Sequence, residues 1–565
     1  MAIGGAVSSA EAAELISYGP PGIRGLVQNP FIFFQACVAS IGGLLFGYDQ
    51  GVISGVQVMT NFVSHPLLRL KLEFPQLADD ATLQGWMVSV LTLGVMFGAL
   101  LNGPLADRFS RRWSILYANI IFLVGSAIQA GSINIPMLFI GRFIAGVAVG
   151  MLSMVVPLYL SEVAPPNLRG GLVALQQLAI TIGIMIAFWL DYGTQHIGGT
   201  GQGQSPAAWR FPLAFQCVPS IILAAATLVL PYSPRWLVQV GREDEARRVL
   251  IRIRRVPESD LRISLELLDI KAATTFDRES REAKFPNVTG RLSLALHEYR
   301  ELLVVPHLNR RLLIASLLQV LQQFTGINAI IYYAPTMFTS IGLSGNSIDL
   351  LATGVVGIIN FFATIPAILY IDRWGRKKVL IIGAIGMAVS QLIVGTLYAV
   401  YKDRWADNTS AGWAAAVFIW VYIANFAYSI GCVNWIIPSE LFPPAVRSKA
   451  VGIAIALNWL TNFIVALITP RMLKSITFGT FYFFLVFCLI LLGWVVFFVP
   501  ETKGVPIEGM DRLFGGNTGH EDLMRMARIR DRLGILPLDE AGAVGDIRGK
   551  EEDMEGEGPS VEEKE

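Results

Sequence analysis

Charge is what this sequence has least of. Of its 565 residues, 15% are Asp, Glu, Lys or Arg, against roughly 25% in an average soluble chain. The 44 Lys and Arg nearly cancel the 43 Asp and Glu, leaving +1, so no basic field invites nucleic acid. Histidine is also scarce. The five present, His65, His196, His297, His307 and His520, fall in predicted loops, linker or tail with no ligand spacing and no nucleophile motif nearby. We therefore expect no catalytic residue, no metal site, no cofactor and no enzyme activity. Cys37, Cys217, Cys432 and Cys488 lie inside apolar runs, without a disulfide or zinc pattern. A phosphate-binding Gly-Lys-Ser/Thr sequence is missing, which argues against ATP-driven chemistry. What is abundant is apolar: 53% of residues, with a mean hydropathy of +0.55. They come in blocks of about 20, the length that crosses a bilayer.

Twelve such blocks are predicted. Six lie near 31–53, 84–105, 114–131, 136–160, 171–193 and 210–230, and six near 312–339, 348–371, 379–401, 413–438, 448–470 and 478–499. The expected fold is an all-α polytopic membrane protein of twelve transmembrane helices. The first 30 residues, with Glu11, Glu14 and only Arg24 as a cation, do not read as a secretory signal. Arg108, Arg111 and Arg112 follow span two, Arg169 follows span four, Arg373 to Lys378 follow span eight, and Arg447 and Lys449 follow span ten. The loops between them are poor in cations, so the positive-inside rule puts the even-numbered loops and both termini in the cytoplasm. Without a retention signal at the end of the chain, the expected location is the plasma membrane.

The chain also repeats. Ser161-Glu162, Pro165-Pro166 and Arg169 return as Ser439-Glu440, Pro443-Pro444 and Arg447 at a constant offset of 278, and Asp107-Arg108 with Arg111-Arg112 returns as Asp372-Arg373 with Arg376-Lys377 at 265. The expected layout is a tail at 1–30, a six-helix half at 31–231, a cytoplasmic linker with short helices at 232–311, a second six-helix half at 312–500, and a tail at 501–565 that is acidic and disordered at its end. Parallel repeats of this kind point to a carrier that binds its cargo between the halves. The charges after spans two, four, eight and ten, with Arg235 and Glu501, can form ion pairs that hold one conformation closed.

Polar amides inside the spans bear on the cargo. Gln319, Gln322 and Gln323 share a helix face, as do Asn458 and Asn462. In span five, Gln177 lies on one face with Ile180 and Ile184. Amides donate and accept hydrogen bonds at once, which suits a neutral, hydroxyl-rich molecule; alternatively, they tie helix to helix. Two charges stand out because ionisable groups are costly inside a membrane: Asp49 in span one and Arg142 in span four.

Five motifs in order carry a family resemblance: Gly141-Arg142-Phe143; Pro157 to Glu162; Ser233-Pro234-Arg235-Trp236-Leu237; Gln322-Gln323-Phe324-Thr325-Gly326-Ile327-Asn328; and Pro500-Glu501-Thr502-Lys503-Gly504. Over roughly residues 35–510 the chain resembles the sugar porters of the major facilitator superfamily, most of all fungal monosaccharide transporters. The resemblance implies alternating-access transport of a hexose or pentose, with the lipid bilayer and a small sugar as partners and no obligate protein partner. It implies that Gln177, Gln322, Gln323, Asn328, Asn360, Phe426, Trp435 and Asn458 line the sugar site and that Tyr332 and Tyr333 close the outer gate. Gly326 would let span seven break so that Asn328 turns inward. It implies a cytoplasmic salt-bridge network of Asp107, Arg108, Arg112, Glu162, Arg169, Arg235, Asp372, Arg373, Arg376, Glu440, Arg447 and Glu501. Asp49 and Arg142 match the proton-coupling pair, so symport is expected, with facilitative uniport of a sugar or polyol, and a sugar sensor on the same fold, as alternatives. One stretch departs from the family: Gly431-Cys432-Val433-Asn434-Trp435 lacks the usual prolines. Their loss should stiffen span ten, and Asn434 adds an amide near the site.

The orientation can be checked by two sequons, Asn287-Val288-Thr289 in the linker and Asn408-Thr409-Ser410 before span ten. Asn287→Gln should leave the glycosidase-sensitive mobility of the protein unchanged, whereas any such shift should disappear in Asn408→Gln. A glycan on Asn287 would invert the topology.

Overall fold

The computed structural model describes residues 29–59, 62, 80–165, 169–199, 204–286, 288, 290–343, 348–402, 404–405, 407–503, 505, 507–516 and 518–535. Most of the first tail, the acidic end of the last and Asn287 lie outside the described residues, as do the side chains of Arg169 and Asp372.

Among the described residues, twelve helices are long and apolar enough to cross a membrane, as the sequence predicts. Spans one to six are Pro30–Val56, Ala81–Phe109, Arg111–Ala130, Ile135–Val163, Arg169–Thr194 and Ala207–Thr227. Spans seven to twelve are Pro306–Ser340, Ile348–Trp374, Arg376–Tyr401, Thr409–Leu441, Pro444–Ser475 and Gly479–Phe497. The apolar core divides accordingly. One cluster is built mainly from spans seven to twelve and another from spans one to four, into which Ile455 and Trp459 of span eleven intrude. The halves meet where span eleven lies along span two and span eight along span five, and where the second segment of span seven reaches span one.

Lipid tails give apolar helices no reason to associate, so close contact depends on small residues. Span one carries glycine every fourth position, Gly43, Gly47, Gly51 and Gly55, and each meets span five. A Cβ on Gly47 would stand 1.9 Å from the carbonyl oxygen of Ile180, and one on Gly183 would stand 2.2 Å from that of Leu44. Spans two and four repeat the device: a Cβ on Gly98 would lie 2.0 Å from the Val147 oxygen, and one on Gly150 2.1 Å from the Val95 oxygen.

Between the halves lie the helices Pro234–Gln239, Glu243–Arg254, Leu261–Lys284 and Arg291–Val304. The end of each span beside them is called here the linker face and the opposite end the far face. Arg254 of the linker pairs with Glu266 at 2.5 Å and donates to the Val163 carbonyl at 2.8 Å, which ties the linker to the end of span four. After span twelve, helices Ile507–Phe514 and Thr518–Arg532 fold back on the linker face. Asp511 accepts from Arg311 of span seven at 2.5 Å, and Arg530 reaches Asp269 of the linker at 2.9 Å.

Three spans are broken. Span seven breaks at Thr325-Gly326, where Gly326 has φ +95° and the ring of Phe484 fills the space of a Cβ, a conformation suited to glycine. Span six divides at Gln216. Span ten breaks at Ser429 (φ −111°, ψ −102°), which corrects the expectation that loss of the two prolines stiffens it. The Ser429 hydroxyl donates to the Asn425 carbonyl at 2.5 Å, a local bond that competes with the helix. Gly383 of span nine leaves room for it, since a Cβ there would lie 2.0 Å from the hydroxyl oxygen.

Gly47→Val should force spans one and five apart and cost about 3 kcal/mol or more. In a thermal-shift assay in detergent, Gly47→Val should melt well below the native protein, while Gly103→Ala, where nothing lies within 4 Å of the added Cβ, should match it.

Candidate functional site

In span ten one main-chain carbonyl lacks its helical donor, and span seven supplies a substitute. Pro438 has no N–H to return to the Asn434 carbonyl four residues earlier. Gln319 donates to that carbonyl through Nε2 at 3.0 Å, and Gln322 donates to the Ile430 carbonyl, just past the break, at 3.3 Å. Their side-chain oxygens turn toward two asparagines. Asn434 Nδ2 donates to Gln319 at 2.7 Å and Gln322 at 2.5 Å; Asn458 Nδ2 donates to the same oxygens at 2.7 and 2.8 Å. Gln323 donates to Asn458 Oδ1 at 3.0 Å and accepts from Asn328 at 2.5 Å. Asn328 reaches this group because the chain turns at Gly326.

The structure thus joins Gln322, Gln323, Asn328 and Asn458, together with Gln319 and Asn434, in one buried amide cluster. It does not add the other expected lining residues to the hydrogen bonds. Gln177, half-buried in span five, and Asn360, buried in span eight, make no side-chain hydrogen bond among the described residues. Phe426 packs against Gly431 at the span-ten break. Trp435, beside fully buried Asn434, is 37% exposed.

A second group lies nearer the far face. Asp49 and Arg142 are both 0% exposed, with Oδ1 3.9 Å from Nη1, too far for a hydrogen bond. Arg142 points its other donors at Gln129 (3.5 Å) and the Val88 carbonyl (3.4 Å), while neither oxygen of Asp49 has a hydrogen-bond partner. The next residue, Gln50, donates to the Tyr332 hydroxyl at 3.1 Å, and that hydroxyl donates to Asn462 at 3.3 Å, one turn along span eleven from Asn458. Gln57 donates to the Tyr332 carbonyl at 2.5 Å, and Tyr333 donates to the Ala466 carbonyl at 2.8 Å. Tyr332 and Tyr333 therefore seal span seven against spans one and eleven.

The linker face holds two matching clusters. Arg111 pairs with Glu162 at 2.9 Å and Asp107 at 3.3 Å, and Glu162 accepts from Ser233 at 2.5 Å. In the second half Arg376 pairs with Glu440 at 2.8 Å, and Glu440 accepts from Thr502. Glu501 accepts the main-chain N–H groups of Arg376, Lys377 and Lys503 at 2.9–3.1 Å. Partial burial opposes its charge, yet these N–H groups hold its carboxyl below the usual range. Five expected members stand apart, among the described residues. Arg108 and Arg373 lie over the rings of Phe109 and Tyr370, Arg235 pairs with Asp277 of the linker, and Arg447 donates to the Phe442 carbonyl. Arg112 likewise donates to the Leu228 carbonyl and covers Tyr232 rather than meeting an acid. Their helix phases turn them away from the acids that Arg111 and Arg376 face. The buried Arg311–Asp511 pair was not anticipated; 200 residues separate its members.

Fold and site together define a two-half membrane carrier with a polar centre. The sequence profile of the sugar (and other) transporter family matches residues 35–514. Sugar transport protein MST7 of Oryza sativa subsp. japonica is 36% identical over 495 residues, covering 86% of this chain and 91% of that protein. H(+)/hexose cotransporter 2 of Parachlorella kessleri is 35% identical, covering 91% and 92%. Among solved structures, the proton:xylose symporter XylE bound to 6-bromo-6-deoxy-D-glucose superposes with a TM-score of 0.67 at 31% identity, covering 86% of this chain and 99% of that one. The chain belongs to the sugar porter family of the major facilitator superfamily.

Gln323 links Asn328 to Asn458, so Gln323→Ala should remove a hydrogen-bonding partner from both and from a bound hydroxyl. The expected cost is about 1–3 kcal/mol, or roughly ten-fold in apparent affinity, with expression unchanged. Unaltered affinity in a well-folded variant would make the cluster a tie between helices only.

Proposed function

We propose that this protein carries a monosaccharide across the membrane by alternating access, together with a proton. The observation that carries the reading is the chain of contacts from the isolated acid to the amide cluster: Asp49, its neighbour Gln50, the Tyr332 hydroxyl, Asn462 and, one turn along, Asn458. A cluster of uncharged amides suits a polyhydroxylated neutral cargo, since it offers hydrogen bonds without a charge to neutralise. The relatives' names agree in kind, with a proton and a hexose in one and a proton and xylose in another. Gln177, Asn360, Phe426 and Trp435 complete the site, the tryptophan offering a flat apolar face to the carbon side of a sugar ring.

The seal by Tyr332 and Tyr333 corresponds to a state closed on the far face. The two ion-pair clusters each stay within one half, which fits bundles free to separate at the linker face. Cations gather there, from Arg111 to Lys378, so that face is cytoplasmic, with both termini, and the membrane is the plasma membrane. In this scheme the halves correspond to residues 31–231 and 312–500. Ionised Asp49 is drawn to Arg142; the protonated acid is not. A proton thereby changes the contact between spans one and four, and through Gln50 and Tyr332 it biases the seal over the sugar.

Asp49→Asn imitates the protonated form at nearly the same size. In vesicles with an imposed pH gradient, the native protein should concentrate sugar and lose that ability with a protonophore, whereas Asp49→Asn should exchange sugar without concentrating it. Concentrative uptake that survives in Asp49→Asn would place the proton elsewhere. Equilibration without accumulation by the native protein would make it a uniporter.

A further inference from the structure

The amides of spans seven, ten and eleven form a closed ring, and the ring has a direction set by the main chain. Because Pro438 cannot return an N–H, the Asn434 carbonyl takes one from Gln319; the Ile430 carbonyl at the span-ten break takes one from Gln322. Both glutamines are thereby fixed with nitrogen toward span ten's backbone and oxygen toward the asparagines. There, two N–H groups of Asn434 and two of Asn458 converge on the two oxygens at 2.5–2.8 Å. An amide oxygen has two lone pairs, so both glutamine oxygens are full. Gln322 keeps one free N–H and no free lone pair.

We propose that Asn434 is a positioning residue for specificity: it fills the glutamine acceptors, so Gln322 meets the substrate only as a hydrogen-bond donor. This deepens the sugar-site reading above and rests on it. Asn434 itself is 0% exposed and does not touch substrate. Its own Oδ1 is buried without a partner, so its side chain serves its donors and leaves its acceptor unmet. A donor-only Gln322 reads one substrate oxygen as an acceptor and gains nothing from the hydroxyl hydrogen there. Without Asn434, one lone pair on each glutamine opens, and the same hydroxyl can then also donate.

Mono-deoxyfluoro sugars separate these cases, because fluorine keeps a weak acceptor and removes the donor, while mono-deoxy sugars lose both. Purified native protein and Asn434→Ala would be titrated with D-glucose, D-galactose and D-xylose, then with the deoxy and deoxyfluoro analogues of whichever binds most tightly, position by position. At one ring position the native protein should bind the fluoro sugar within about two-fold of the parent while the deoxy sugar is weaker. In Asn434→Ala the parent should gain about three- to ten-fold over the fluoro sugar at that position, the equivalent of one hydrogen bond. A ratio between analogues does not depend on the fraction of folded protein. If Asn434→Ala fails to elute as a single peak, Asn434→Ser, with one donor for two acceptors, gives the same comparison. An equal loss for every analogue, or ratios that match the native ones at every position, would overturn the role of Asn434 while leaving the sugar site standing. Failure of the native protein to bind any of the three sugars would overturn the sugar-site reading and this inference together.

Discussion

Inside an apolar slab a hydrogen-bonding group has only other protein groups to bind, and most of this structure follows from that constraint. An unbroken helix meets it alone. A broken one does not, and spans seven and ten both break at the level of the amide cluster. The Asn434 carbonyl, left without a helical donor by Pro438, accepts from Gln319, and Gln322 adds a bond to the Ile430 carbonyl; the Thr325 carbonyl at the span-seven break accepts from the Tyr422 hydroxyl at 2.9 Å. The polar centre therefore follows in part from Pro438 in span ten and the break in span seven. The same amides that repair the backbone present their remaining hydrogen-bonding capacity to whatever enters. In the proposed site, packing glue and substrate recognition are the same side chains, held in place by their bonds to the backbone.

The glycine stripes meet the other requirement, that bundles hold together without a hydrophobic drive. In span one they bring the backbone against span five, and Asp49 lies two residues beyond Gly47 on that tightly packed helix. Such close packing leaves the carboxylate little freedom to find hydrogen bonds of its own. Its two unmet oxygens are thus a property of the helix pair, fixed before any cargo binds.

Much of this was legible in the sequence. Apolar blocks of membrane length located all twelve spans, and Gly326 marked the break in span seven because only glycine readily takes φ near +95°. The amides of spans seven and eleven were visible as a helix face. The break at Ser429 was not, because serine permits many conformations and the kink depends on room left by Gly383 of another span. Pro438 was a legible signal left unused: a proline four residues after Asn434 announces a free carbonyl there. Of the basic motifs, Arg111 and Arg376 carry the ion pairs while Arg108, Arg112 and Arg373 do not. Residue type and spacing do not separate these; the angle at which spans two and eight end does. The Arg311–Asp511 pair joins the start of span seven to the last tail, a contact that only the folded chain defines.

Among the described residues the contrast between the two charged regions bears on how the carrier works. At the linker face three acids have several partners each: Glu162 holds Arg111 and Ser233, Glu440 holds Arg376 and Thr502, and Glu501 holds three main-chain N–H groups. Their partners lie within one half or in the segment that directly follows it, so they stiffen each bundle as a unit. Near the far face the opposite holds. Asp49 has Arg142 just beyond hydrogen-bond reach and nothing else, while its neighbour Gln50 crosses to the other half through Tyr332. Protonating one of the linker-face acids would disrupt an ion pair or several hydrogen bonds at once. Protonating Asp49 breaks no hydrogen bond and removes only its attraction to Arg142. In the scheme proposed above, rigid halves joined across a poised acid let one proton at Asp49 bias the motion of the two six-helix bundles.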